Sequence, residues 1–188
     1  MSTTVLRKAA IGSNTLGANA LLVLAGSLMI TLAAQFSIGW PVPMSLQGLA
    51  IMVIGFTFGS RLAAATVLAY LAQGAMGLPV FSNGMAQAAL VGPTAGFLYG
   101  FVAMAFLAGL AVEKGIARGV VSTAVVGIVV SVLLYVPGLA WPAAMMGKTM
   151  PELWSGWMAP FLIGDAIKAV IAAMVVWGGW KALSTRKG

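Results

Sequence analysis

Asp165 and Lys168, in the run FLIGDAIKAV, are charged residues in an otherwise apolar segment. Their three-residue spacing puts both on one face of a helix. A carboxylate accepts hydrogen bonds, whereas an ammonium only donates them. Side by side they suit a neutral ligand with donors and an acceptor close together, such as a cyclic urea. They also suit a ligand carboxylate held on the lysine. An ion pair that only braces helix packing is the competing reading, and buried pairs stabilise folds weakly because desolvation offsets their attraction. Asn83, in FSNGMAQ, and Gln47, in PMSLQGL, each offer a donor and an acceptor. Trp40, Tyr70, Phe81 and Trp141 are candidate apolar walls. The expected binding set is therefore Asn83, Asp165, Lys168 and Gln47, with Tyr70 and Phe81 beside them. These residues describe an outward-facing pocket of apolar walls with few polar groups, the usual form of a small-molecule site.

Other chemistries lack their residues. The chain has no Cys and no His, and only Glu113, Glu152 and Asp165 are acidic. Disulfides are excluded, and the usual ligands of zinc, haem and iron–sulfur sites are missing. The commonest general base is absent too, so no enzyme activity, metal or cofactor is expected. No phosphate-binding loop of the form G-x-x-x-x-G-K-[ST] appears. ATP-driven work would need another subunit.

The elements that position these residues lie in a membrane. Of 188 residues, 61% are hydrophobic and 7% charged, and mean hydropathy is +1.05. Soluble domains carry roughly a quarter charged residues. The net charge of +7 does not indicate nucleic acid, because the basic residues form no stripe on a soluble surface. They mark cytoplasmic loops instead. Arg7 and Lys8 precede about 20 apolar residues, long enough to span, so this segment reads as a retained first helix rather than a signal peptide.

Pro and Gly punctuation divides the chain into six apolar segments, about 15–37, 45–58, 62–77, 94–112, 119–137 and 159–180. The expected fold is an all-α membrane protein, a six-transmembrane-helix bundle forming one domain over 1–188. Six crossings put Arg7, Lys8, Arg61, Lys114, Arg118, Lys181, Arg186 and Lys187 on one side, the cytoplasm by the positive-inside rule. The N- and C-termini are then cytoplasmic, in a multi-pass protein of the cell inner (cytoplasmic) membrane. Lys148 is the one basic residue in the outer loops, and Lys168 lies inside the last helix. Asp165 falls about two turns in from the outer end, at 1.5 Å per residue. Charges at such depth face the bundle interior, pair, or mark a substrate path. The Pro- and Gly-rich loops WPVPM, GLPVFSNG and VGPTAG all fall on the outer side, as a cavity mouth there requires. Gly92, Gly96 and Gly100, Gly55 and Gly59, and Ala65 and Ala69 recur every four positions, a spacing for close helix packing.

PVPMSLQGLAIMVIG, AYLAQGAMGLPVFSNG, GPTAGFLYGF and GDAIKA occur in this order. Over roughly residues 40–170 the chain closely resembles the BioY family, the biotin-binding S components of energy-coupling factor (ECF) vitamin transporters. The resemblance implies high-affinity biotin capture from outside, and partnership with a membrane T component and two cytoplasmic ATP-binding subunits. It matches Asp165 and Lys168 to the Asp-x-x-Lys of the family's last helix, and Asn83 to the Asn of its P-V-F loop. Gln47 matches its L-Q. The A-x-x-x-A docking pattern of many S components is absent from the first helix, where Ser27 and Thr31 offer a looser small pair. Two other readings stand beside this one. The first is a self-sufficient proton-coupled secondary transporter that uses Asp165 as a membrane proton relay. The second is a scaffold whose ion pair only packs helices.

Overall fold

The Thr15 hydroxyl accepts a hydrogen bond from the Ala18 N–H at 3.3 Å and starts helix α1, Leu16–Gln35. In the computed structural model, residues 15–38 and 44–185 are described. Arg7, Lys8, Trp40, Arg186 and Lys187 lie outside them. Strands β1 (Ser37–Ile38) and β2 (Met44–Ser45) pair antiparallel, with Ser37 opposite Ser45. Helix α2 (Gln47–Phe58) follows and stops at Gly59. Gly59 has φ +86°, a left-handed value that glycine adopts without a Cβ penalty. Helix α3 (Ser60–Ala75) starts at once. A loop with a single 3-10 turn, Ser82–Gly84, and the short α4, Gln87–Val91, lead to α5, Ala95–Glu113. Helix α6 spans Val120–Met146. A short α7 (Met150–Leu153) and a π-helical turn (Trp154–Met158) run into α8, Ala159–Thr185.

Among the described residues, four stretches are long and apolar enough to cross a membrane: Leu16–Gln35, Ala95–Glu113, Val120–Met146 and Met150–Leu183. Helices α2 and α3 are shorter. The outward surface is itself apolar, with Leu21, Leu24, Val121 and Ile163 all well exposed, as befits a protein whose surroundings are lipid tails. Helix α5 is the most enclosed of the four. It packs against α2, α3 and α6, while α8 packs against α6 and α2.

Glycines set these approaches. A Cβ at Gly55 would stand 2.7 Å from the Ala108 Cβ, and one at Gly109 would overlap the Ser60 nitrogen. Gly96 faces the backbone of Pro137, and Gly100 faces Leu134 and Pro137. The four-residue spacing of Gly96 and Gly100 is thus spent on packing α5 against α6. Gly92 precedes α5 and meets its own neighbours Ala88 and Ala89. Ser27 is also an interior residue, 1% exposed, and its hydroxyl accepts a bond from Gln73 at 2.9 Å. It offers no outer docking patch. The N-terminus of α3 has no side-chain cap of its own. Glu113 of α5 supplies one, accepting from the Ser60 N–H at 2.9 Å and the Ser60 hydroxyl at 2.7 Å. A carboxylate there also meets the positive end of the helix dipole.

Two boundaries differ from the sequence expectation. The helix expected to stop near Pro137 continues through Pro137 and Pro142 to Met146. Proline removes a donor from a helix but does not force its end when neighbouring helices hold it, and α5 packs on Pro137 through two glycines. The last helical stretch begins at Met150 instead of near 159, so the expected outer loop over 138–158 is mostly helical.

Candidate functional site

A cavity of about 980 Å³, its open mouth included, lies between α2, the 81–85 loop, α5, α6 and α8. Its apolar walls include Phe81, Phe97, Leu98, Phe101, Trp157 and Phe161. Phe161 and Asp165, four residues apart, share one face of α8, and Trp157 lines the cavity from the π-helical turn before it.

Asp165 and Lys168 line the cavity from α8. The Lys168 ammonium donates to Asp165 Oδ1 at 3.1 Å. The side chains are 13% (Lys168) and 21% (Asp165) exposed, so the pair is mostly removed from solvent. Tyr135 of α6 donates its hydroxyl to the other oxygen, Oδ2, at 2.6 Å. Among the described residues, these three are the only titratable side chains in the cavity lining, and the ion pair makes their sum neutral.

Gln47 and Asn83 line the same cavity from α2 and the 81–85 loop. Gln47 is 4% exposed and tied into a directional chain. The Val80 carbonyl can only accept, so the Tyr70 hydroxyl donates to it at 3.0 Å. Tyr70 therefore accepts from Gln47 Nε2 at 2.7 Å. Gln47 Oε1 in turn accepts from the Ser45 and Ser82 hydroxyls, each at 2.8 Å. Asn83 sits at the mouth with φ +59°, a left-handed conformation that asparagine tolerates better than most residues. Its Oδ1 accepts from Ser37 at 3.1 Å, which leaves its amide N–H groups for other partners.

The structure thus brings Asn83, Asp165, Lys168, Gln47 and Phe81 around one cavity. Tyr70 is fully buried, stands behind Gln47 and does not line the cavity. Its ring meets Phe81 edge-on, with centroids 5.2 Å apart. Trp141 does not line the cavity either; its indole N–H donates at 3.0 Å to the carbonyl of Gly92, a residue of the cavity wall. Sequence reasoning missed Ser45, Ser82, Tyr135, Trp157 and Phe161. The four-residue spacing back from Asp165 would have found Phe161 and Trp157. Nothing local signals Tyr135, whose partner is 30 positions away. Among the described residues, no three His, Cys, Asp or Glu side chains group to hold a metal.

An all-helical bundle with apolar outer faces, enclosing a cavity with a few convergent polar groups, defines a membrane-embedded small-molecule-binding protein. Comparison with known proteins narrows that class. The chain belongs to the BioY family, whose pattern it matches over residues 7–185. It is 37% identical over 150 residues to a biotin transporter BioY of Rhodobacter capsulatus, covering 73% of this chain and 78% of the relative. It is likewise 37% identical over 155 residues to one of Rhizobium etli, covering 77% and 81%. One of Thermotoga maritima is 36% identical over 143 residues, covering 72% and 79%. Its fold matches a crystal structure of the S-component for biotin from an ECF-type ABC transporter with a TM-score of 0.74, at 24% identity over 94% of this chain and 96% of the other.

Proposed function

We propose that this chain is the biotin-binding membrane subunit of an uptake transporter. The observation that carries the reading is the cavity itself: an Asp165–Lys168 pair facing Gln47 and Asn83 across apolar walls, in a chain of the BioY family. Biotin offers two ureido N–H donors and one ureido carbonyl, fused to a thioether ring with an aliphatic acid tail. A neutral polar end and a greasy body suit a site with a neutralised ion pair at one wall and aromatic rings around it. Asn83, Asp165, Lys168 and Gln47 contact the ligand in this reading, Phe81 walls it, and Tyr70 supports Gln47 from behind.

The protein crosses the membrane six times, with both termini cytoplasmic and the cavity open to the outside. The distribution of charge supports this. Arg61, Lys114 and Arg118 lie at the end of the bundle marked by the Ser60–Glu113 contact. At the other end Lys148 is neutralised by Glu152 at 3.0 Å. A membrane T component and two ATP-binding subunits supply the energy, since the chain has no phosphate-binding loop.

Equilibrium titration of the purified protein with biotin tests the reading, and saturable one-to-one binding is expected. Reconstitution of the chain alone in vesicles separates it from a proton-coupled carrier. Biotin accumulating above the outside concentration under an imposed proton gradient, without ATP or partners, would overturn the subunit reading in favour of the carrier.

A further inference from the structure

We propose that Tyr135 is a positioning residue for ligand binding, one that acts through the Asp165 carboxylate; this rests on the biotin-binding reading above. Rotation of an aspartate about its last side-chain bond is soft, because that torsion has broad wells. Lys168 holds only Oδ1, from the same helix and through a flexible stem. Tyr135 holds Oδ2 from the facing helix α6. Its own ring is fixed, being 5% exposed and edge-on to Phe97 with centroids 5.8 Å apart. The two bonds together set the plane of the carboxylate, and each oxygen keeps a lone pair for a ligand donor.

The choice of a phenol matters electrostatically. A second cation at this place would compete with Lys168 for the Asp165 carboxylate. A neutral donor fixes the carboxylate and leaves the Asp165–Lys168 sum at zero. The competing explanation is that Asp165 merely satisfies a buried tyrosine hydroxyl, which normally needs a partner. In that case the ligand would not register the hydroxyl's removal.

A double-mutant cycle on biotin affinity decides between them. Tyr135→Phe keeps the ring and its contact with Phe97 while removing the hydroxyl. It is expected to weaken biotin binding about tenfold, near the lower range for a hydrogen bond to a charged group. Asp165→Asn is expected to cost more. Adding Tyr135→Phe to Asp165→Asn should then cost less than about threefold further, because the group it acts through has already changed. Thermal unfolding without biotin reports the fold of each variant. Wild-type affinity in Tyr135→Phe, or full additivity with Asp165→Asn, would overturn the proposal. So would a Tyr135→Phe chain that does not fold, since the hydroxyl would then be holding the bundle. A wild-type protein that shows no saturable biotin binding would instead remove the function reading, and the positioning role with it.

Discussion

Gln47 shows how a single side chain is committed by its neighbours. Both of its amide ends are engaged, and the order of bonds from Val80 through Tyr70 permits only one orientation of the amide. The cavity-side group is therefore held in place before any ligand arrives, which lowers the ordering cost of binding. Removing the Tyr70 hydroxyl strands both Gln47 Nε2 and the Val80 carbonyl. Tyr70→Phe is expected to destabilise the protein by about 1–3 kcal/mol, the cost of leaving a buried polar group unpaired. Chemical denaturation in detergent would measure it, and an unchanged midpoint would mean that water replaces the hydroxyl. At this scale the sequence was legible where it was anomalous. Asp165 and Lys168 stand out because charge is rare in an apolar run. Tyr135 does not stand out, because an aromatic residue in an apolar helix reads as packing, and its role is visible only when two helices are set side by side.

At the scale of elements, the helices were legible where Pro and Gly end them and obscure where they do not. Gly59 and Gly77 carry the positive φ values that turns require, and the segments beside them are found where punctuation places them. Pro137 punctuates nothing, because Gly96 and Gly100 let α5 hold α6 on both sides of it. That is a property of the pair of helices, not of either sequence alone. Another close approach in the bundle involves backbone as well: a Cβ at Gly109 would overlap the Ser60 nitrogen and Gly59 carbon of the α2–α3 turn. Backbone cannot rotate away as a side chain does. Gly109→Val is expected to cost about 1–3 kcal/mol, as overpacking does. Gly156→Ala is the control, because nothing lies within 4 Å of its Cβ position, and it should leave the melting temperature of the purified protein unlowered.

For the whole molecule, the expected segregation of charge rests on counting crossings, not on packing. The shape of the cavity was not legible, since it is what remains after five segments from distant parts of the chain have packed. The count itself leads to a measurable expectation. Reporter fusions at the N-terminus and at the C-terminus should both give cytoplasmic signals. An outside signal from one end alone would require an odd number of crossings, and would put Arg61, Lys114 and Arg118 on the same side as only one terminus.

The carboxylate of Glu113 that closes the start of α3 has a consequence for synthesis. It lies 53 residues downstream of Ser60. At roughly 5–20 residues per second, a ribosome makes that stretch in roughly 3–10 s. Throughout this interval the Ser60 amide at the start of α3 lacks this partner, and only the arrival of the end of α5 supplies it. The start of α3 is therefore completed only when α5 arrives, and a nascent chain arrested before residue 113 leaves the Ser60 amide for the insertion machinery or lipid headgroups to shield.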